Sequence, residues 1–141
     1  MEIIIHVESK KIDKNLQSAI DEYIKRTSPF CKVIIRTYKV LGKISFKTNS
    51  KVYIILPGIN SPTSTELAEI IKNHNLKGIS CIEFVITNPE STSALHQSIN
   101  YANIDQFNLS SFSMSADITI TVLTEQIYRA YTILNNITYH K

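Results

Sequence analysis

The sequence predicts an α/β domain built on a mainly parallel sheet flanked by helices. Three observations lead there. Short apolar runs of strand length recur along the chain at Ile3 to Val7, Lys32 to Val40, Val52 to Leu56 and Ile82 to Ile86. Stretches of helical period separate most of them. The runs are apolar at consecutive positions rather than alternating, so both faces of the sheet are covered, which is the habit of parallel sheets.

The elements follow in order. Ile3 to Val7 is a mostly apolar strand. Asp13 to Arg26 is a helix with Leu16, Ala19, Ile20, Tyr23 and Ile24 on one face. Lys32 to Val40 is a strand rich in β-branched residues, and Gly42 to Ser50 is polar, basic and loop-like. Val52 to Leu56 is a strand stopped by Pro57-Gly58. Thr63 followed by Glu66 is a capping-box signature. It opens a helix through Leu67, Ala68, Ile70 and Ile71 that ends before Gly78. Ile82 to Ile86 stops at Asn88-Pro89. A shorter helix is expected near Ser93 to Tyr101, a strand-like stretch around Phe107 to Met114, and a last helix from about Asp117 to Asn135. No repeat, linker or low-complexity tract interrupts this order, so residues 1–141 read as one domain. Ligands of such sheets sit at the carboxyl ends of strands. Here those ends are Pro57-Gly58-Ile59-Asn60, Thr87-Asn88-Pro89-Glu90 and Phe112-Ser113-Met114-Ser115.

Composition narrows the class. A hydrophobic fraction of 43% suits an ordinary globule. No apolar run reaches the roughly 18 residues of a membrane span, so no membrane partner is expected. The first residues read as a strand, without the basic region and cleavage site of a secretory signal, so the cytoplasm is the expected compartment. Cys31 and Cys81 open two separate apolar runs and read as reduced, buried thiols. Two cysteines alone make no structural zinc site, and no metal is expected.

Charge is unevenly spread. The net charge is +3, yet no acidic residue lies between Glu22 and Glu66. That stretch holds Lys25, Arg26, Lys32, Arg36, Lys39, Lys43, Lys47 and Lys51. One sign over so long a run self-repels unless a polyanion is its partner, which points to nucleic acid; the plain alternative is a solvated face. The interleaved aromatics Phe30, Tyr38, Phe46 and Tyr53 are not counted as stacking platforms, since two of them read as strand core.

Motifs exclude more than they assign. The chain has no Gly-x-Gly-x-x-Gly, no P-loop and no His-Glu-x-x-His, and Gly42, Gly58 and Gly78 are too few for a phosphate cradle. His6, within a strand, reads as structural. His74 lies at a helix end, where a cation suits the dipole. His96 has no companion ligand at helical spacing. His140 differs, because Tyr139 and Lys141 flank it beyond an anchored helix. That last helix carries one apolar stripe of Ile120, Leu123, Ile127, Ala130, Tyr131 and Leu134, and a second of Ile118, Val122 and Ile133. Two stripes mean burial on two sides. The expected partner is a second copy in a two-fold homodimer; the alternative is a helix wedged between sheet and another helix of the same chain.

The chain also resembles a known family along its whole length. Glu22-Tyr23 followed by Lys25-Arg26 is similar to the family's Glu-Tyr-x-x-Arg helix. Phe84-Val85-Ile86 with Pro89-Glu90 resembles its Ile-Gly-Gly-Pro-Glu-Gly strand and loop. Glu125, Tyr128-Arg129-Ala130, Asn136 and Tyr139-His140-Lys141 match its closing segment. This is the bacterial 23S ribosomal RNA methyltransferase H family, of the knotted SPOUT class. The resemblance implies an α/β domain with a deep C-terminal trefoil knot, an exception to the usual unknotted topology. It implies a homodimer in which one subunit's tail completes the other's site. It also implies S-adenosylmethionine as cofactor, and methylation of N3 of a pseudouridine in the RNA of the large ribosomal subunit. The cofactor is then expected against Ile55, Asn88 and the run Ser110, Ser111, Phe112, Ser113, Met114 and Ser115. Tyr139 and His140 become the catalytic candidates, His140 as the base for the N3 proton. Arg129 is expected to hold phosphate or order the tail, and Lys25, Arg26, Lys39, Lys43, Lys47 and Lys51 to grip the RNA backbone.

Departures from the family pattern are specific. Its Gly-Gly pair falls on Thr87-Asn88 and its next glycine on Ser91. Its Asp and Gly of the earlier loop fall on Leu56 and Ile59. Its Leu-Pro-His-Pro segment reads Met114-Ser115-Ala116-Asp117, its next arginine is Ile120, and the His-Pro of its tail is Ile137-Thr138. Either the pocket is rebuilt with bulkier polar side chains, or the chain is a non-catalytic RNA- or ribosome-binding homodimer that has lost the methyl donor site.

Overall fold

The computed structural model describes residues 1–9, 11–39, 41, 44–87 and 104–139. Its elements are β1 (Glu2–Glu8), α1 (Lys14–Thr27), β2 (Lys32–Tyr38), β3 (Ser50–Ile55), α2 (Ser64–Leu76), β4 (Cys81–Ile86), β5 (Ile104–Phe107) and α3 (Ala116–Leu134). Five strands form one sheet in the order β2-β1-β4-β3-β5, and every pairing is parallel. At one end Glu2 aligns with Lys32 and Cys81, and at the other Ile55 aligns with Ile86 and Phe107. The parallel α/β expectation holds.

One strand was misplaced by the sequence reading. The stretch around Phe107 to Met114 is not a strand; β5 ends at Phe107 and residues 108–115 are loop. Within that stretch Phe107 is buried in the core, and Leu109 only packs against it. After it the Asn108 amide is spent on the Leu56 carbonyl, and the Ser110 and Ser115 hydroxyls accept the nearby Phe112 and Ile118 N–H groups, an alternative to a ladder. The helix expected near Ser93 to Tyr101 lies outside the described residues.

The two faces of the sheet are built differently. Ile3, Ile5, Val7, Tyr53, Ile82, Phe84 and Ile86 point to one face and pack against Ile20 of α1, Leu67 and Ile71 of α2, and Ile120, Leu123 and Ile127 of α3. Helix α3 lies against both α1 and α2. Burial of each such Leu, Ile or Phe side chain contributes about 1.5–3 kcal/mol. The opposite face takes Ile4, His6 and Glu8 of β1, Glu83 and Val85 of β4, and Val52 and Ile54 of β3. Part of the segment between β2 and β3 covers it, through Leu41, Ile44 and Phe46.

Local chemistry sets the helix ends. The Asp13 side chain accepts from the Asn15 N–H, Ser115 from Ile118, and Thr63 and Glu66 form the predicted capping box. Both α2 and α3 close in a Schellman motif. Gly78 (φ 80°) donates its N–H to Asn75 O, and Ile79 to His74 O. Asn136 (φ 55°) donates to Ile133 O, and Ile137 to Thr132 O. Asparagine tolerates that left-handed conformation better than most residues. It turns the chain back beside α3 and so aims the tail.

Candidate functional site

A cleft of about 430 Å³ opens at the carboxyl ends of β1, β3 and β4. That size lies within the range of about 300–1,000 Å³ typical of small-molecule sites. Six of the eight expected cofactor residues line it: Ile55, Ser110, Phe112, Ser113, Met114 and Ser115. Ser111 belongs to the same loop without lining the cleft, and Asn88 lies outside the described residues. Apolar surface comes from Ile55, Leu56, Ile86, Met114 and Ala116, and hydroxyls from Ser110, Ser113, Ser115 and Thr119. Phe112 stands exposed at the mouth.

Two loops tied by hydrogen bonds form one wall. Gly58 N–H donates to Ser110 O (3.1 Å), the Asn108 amide to Leu56 O (2.9 Å) and the Ser61 hydroxyl to Leu109 O (2.9 Å). A Cβ on Gly58 would stand 2.3 Å from the Asn108 side-chain oxygen. Only glycine allows this approach, because Asn108 is held by Leu56 and cannot easily retreat.

Glu8 was not singled out by the sequence reading. It ends β1 and lines the cleft at only 8% exposure. Its Oε2 accepts the Leu41 N–H at 2.7 Å, while its Oε1 is buried with no hydrogen-bond partner among the described residues. A readable signal existed: Glu2, His6 and Glu8 share one parity of a strand otherwise apolar, and Glu83 interrupts another apolar run. Charges inside doubly covered strands announce a polar network or a site.

The tail is folded, not splayed. Tyr139 donates its hydroxyl to Glu125 Oε1 (3.1 Å), and Arg129 Nη2 donates to the same oxygen (3.0 Å). The Arg129 guanidinium lies 4.9 Å from the Tyr139 ring centroid, and Tyr128 meets that ring edge-on at 5.4 Å. Burial, then Tyr23 and Glu125, push the Tyr139 phenol up to about 12, so it stays protonated and acts as a donor. Glu125 lies six residues beyond Thr119, roughly 9 Å along the helix at about 1.5 Å per residue, and Tyr139 is not among the cleft's lining residues. His140 lies outside the described residues.

Comparison with known proteins decides the family. A family model described as predicted SPOUT methyltransferase matches residues 43–140. The chain is 38% identical to ribosomal RNA large subunit methyltransferase H 1 of Thermoanaerobacter sp. (strain X514), over 97% of each chain. It is 33% identical to ribosomal RNA large subunit methyltransferase H of Clostridium novyi (strain NT) over the whole of both chains, and 30% identical to that of Oenococcus oeni over 100% of this chain and 99% of the relative. The chain belongs to the ribosomal RNA large subunit methyltransferase H family of SPOUT methyltransferases.

In this family member the basic run is not one continuous patch. Lys47 pairs with Glu2, Lys51 with Asp105 at 2.6 Å, and Arg26 with Glu22 at 2.9 Å. These three cations sit at the amino ends of the strands or beside them. Lys51 is four residues from Ile55, about 13 Å at roughly 3.3 Å per residue. The cleft opens at the other end. Lys25 shares the carboxyl end of α1 with Arg26, while Lys39 follows β2 at the cleft end. Neither makes an ion pair among the described residues. Lys43 lies outside those residues.

Among the described residues the other histidines and the cysteines resolve as structural, and His96 lies outside those residues. His6 Nε2 meets Glu83 Oε1 at 2.9 Å and its Nδ1 meets the Tyr38 hydroxyl at 2.8 Å, both within the loop-covered face. His74 is not a helix-end cation. Burial, then Lys51 and Lys77, lower its pKa, and its Nε2 meets the Tyr53 hydroxyl at 2.7 Å. Cys31 and Cys81 are free and buried; burial raises both thiols, Cys81 to about 11. Among the described residues no group of three or more His, Cys, Asp or Glu is placed to hold a metal, and no helix is long and apolar enough to cross a membrane.

Proposed function

We propose that this protein transfers the methyl group of S-adenosylmethionine to large-subunit ribosomal RNA, at N3 of a pseudouridine, working as a homodimer. One observation carries the reading: a cleft of ligand size at the strand ends, walled by the 110–116 loop, in a chain of the SPOUT methyltransferase family. The names of its relatives support large-subunit ribosomal RNA as the substrate.

The residues present fit the donor. Ile55, Leu56, Ile86, Met114 and Ala116 offer an apolar bed for an adenine, and the serine hydroxyls and loop backbone offer partners for polar edges. Bound there, S-adenosylmethionine supplies an electrophilic methyl group on a sulfonium. The protein's part is chiefly positioning, because in-line attack demands a fixed approach of the acceptor nitrogen. N3 must lose a proton, and His140 is the proposed base. Tyr139 is proposed to hydrogen-bond or stack on the target base, with Arg129 ordering the tail that carries both. Lys25, Lys39 and Lys43 are proposed to hold the RNA backbone, while Arg26, Lys47 and Lys51 are already engaged by Glu22, Glu2 and Asp105.

The position of the tail supports a homodimer. Tyr139 does not line its own chain's cleft, so a second copy is proposed to bring the tail of one subunit to the cleft of the other. The exposed Ile118, Ile133 and Ile137 (45%, 40% and 44%) support an apolar contact there. We also propose that the C-terminal segment is threaded as a trefoil knot; the fastening of residues 56–61 onto 108–110 supports it.

A second reading has its own observation. Leu56 and Thr87 line the cleft where the family carries Asp and Gly, which favours a homodimer that binds RNA or the ribosome without the donor. One experiment separates the two. Titration calorimetry with millimolar S-adenosylmethionine is expected to give saturable binding, and unmodified large subunits are expected to gain one N3-methylpseudouridine by mass spectrometry. No heat, with salt-sensitive RNA binding intact, would leave only the second reading.

A further inference from the structure

We propose that Glu8 contacts the methyl donor, receiving a positively charged group of it on Oε1. The inference rests on the donor reading above.

The two oxygens of Glu8 have different fates. Oε2 is occupied by the Leu41 N–H at 2.7 Å, which fixes the side chain at the end of β1. Oε1 is buried and has no partner among the described residues, on a residue only 8% exposed that lines the cleft. A buried carboxylate oxygen without a donor is costly, and folded proteins retain few of them. Because Glu8 lines the cleft, the donor we assign to that oxygen comes from a bound ligand. Among the described residues that line the cleft, Glu8 is the one charged side chain; no lysine, arginine or histidine lines it. The wall therefore favours a cation and disfavours an anion. S-adenosylmethionine carries two positive groups, a sulfonium and an α-ammonium, on an otherwise neutral nucleoside. Its carboxylate must then point away from Glu8. Glu8 thus becomes a specificity-determining residue that reads the charge of the ligand.

The test compares two ligands by titration calorimetry. S-adenosylmethionine carries both positive groups, and 5′-methylthioadenosine keeps the adenine, ribose and sulfur without either. Wild type is expected to bind the first at least about tenfold more tightly, the scale of one charge-assisted contact. Equal affinities would overturn the proposal without any variant. Glu8→Gln keeps an oxygen for the Leu41 N–H and removes the charge, so its thermal midpoint is expected to stay close to wild type. Its affinity for S-adenosylmethionine is expected to fall about tenfold, with methylthioadenosine binding unchanged. Loss of both ligands together, or of neither, overturns the role of Glu8 while the donor reading stands. Wild type that binds neither ligand brings down the donor reading, and this role with it.

Discussion

The two faces of the sheet teach different lessons about how this chain holds itself together. The helical face is a continuous apolar cluster in which Ile5, Phe84, Leu123 and Ile127 are almost fully buried. Its stability comes from removing carbon from water and from packing, neither of which depends on pH. The loop-covered face has apolar patches, but at its centre lies a buried carboxylate. Glu83 Oε1 meets His6 Nε2 at 2.9 Å, and its Oε2 accepts from the Lys47 N–H (2.9 Å) and the Ser50 hydroxyl (2.7 Å). Three carboxylates of that side hold the basic segment between β2 and β3. Glu8 takes Leu41 N–H, Glu83 takes Lys47 N–H, and Glu2 takes the Lys47 ammonium. A segment rich in like charge is thus tied down by acids far away in sequence. The polyanion that its composition calls for is, in part, the protein itself.

The largest expected effect is on the polar face. Glu83→Ala leaves the His6 ring nitrogen and the Lys47 N–H without their acceptor inside the fold. Losing one partner of such a buried cluster costs about 3–5 kcal/mol. Urea unfolding at neutral pH measures it, and a loss below about 1 kcal/mol would mean that the network is incidental. Leu123→Ala makes the matching break on the helical face. It is expected to cost about 3 kcal/mol from lost transfer and the cavity left behind. That loss should be the same in mild acid as at neutral pH, and a pH-dependent loss there would erase the distinction between the faces.

The same contrast explains what the sequence could tell. Helical face and strands were readable because one local rule, apolar spacing, governs them; Leu67, Ala68 and Ile71 of α2 and Ile120, Leu123 and Ile127 of α3 fall where periodicity puts them. The end of β5 was not readable, because Phe107 to Met114 has strand-like composition while Asn108 is spent on the Leu56 carbonyl 52 residues away. Six of the residues expected at the cofactor line the cleft, where the strand-end rule and the family pattern put them. Glu8 was missed because its meaning depends on Leu41, a residue that sequence alone does not place beside it. The basic run looked like one surface for the same reason: ion pairs with Glu2 and Asp105 are invisible until the strands align.

The smallest expected effect is also the most diagnostic. Burial raises the Glu83 pKa, but hydrogen bonds from His6, Ser50 and the Lys47 backbone outweigh it and hold the group below its ordinary value of 4.5. A carboxyl depressed in the folded state adds stability that is complete above its unfolded value and is lost as pH falls through its folded value. Ser50→Ala removes one donor and is expected to cost about 1.5 kcal/mol at neutral pH. With that donor gone the folded pKa rises toward the unfolded one, so acid unfolding should begin at higher pH. The gap between Ser50→Ala and wild type should then close once Glu83 is protonated in both. Paired urea titrations at neutral pH and well below 4.5 test this. A gap that persists in acid would assign the loss to packing and make Ser50 behave like a residue of the helical face.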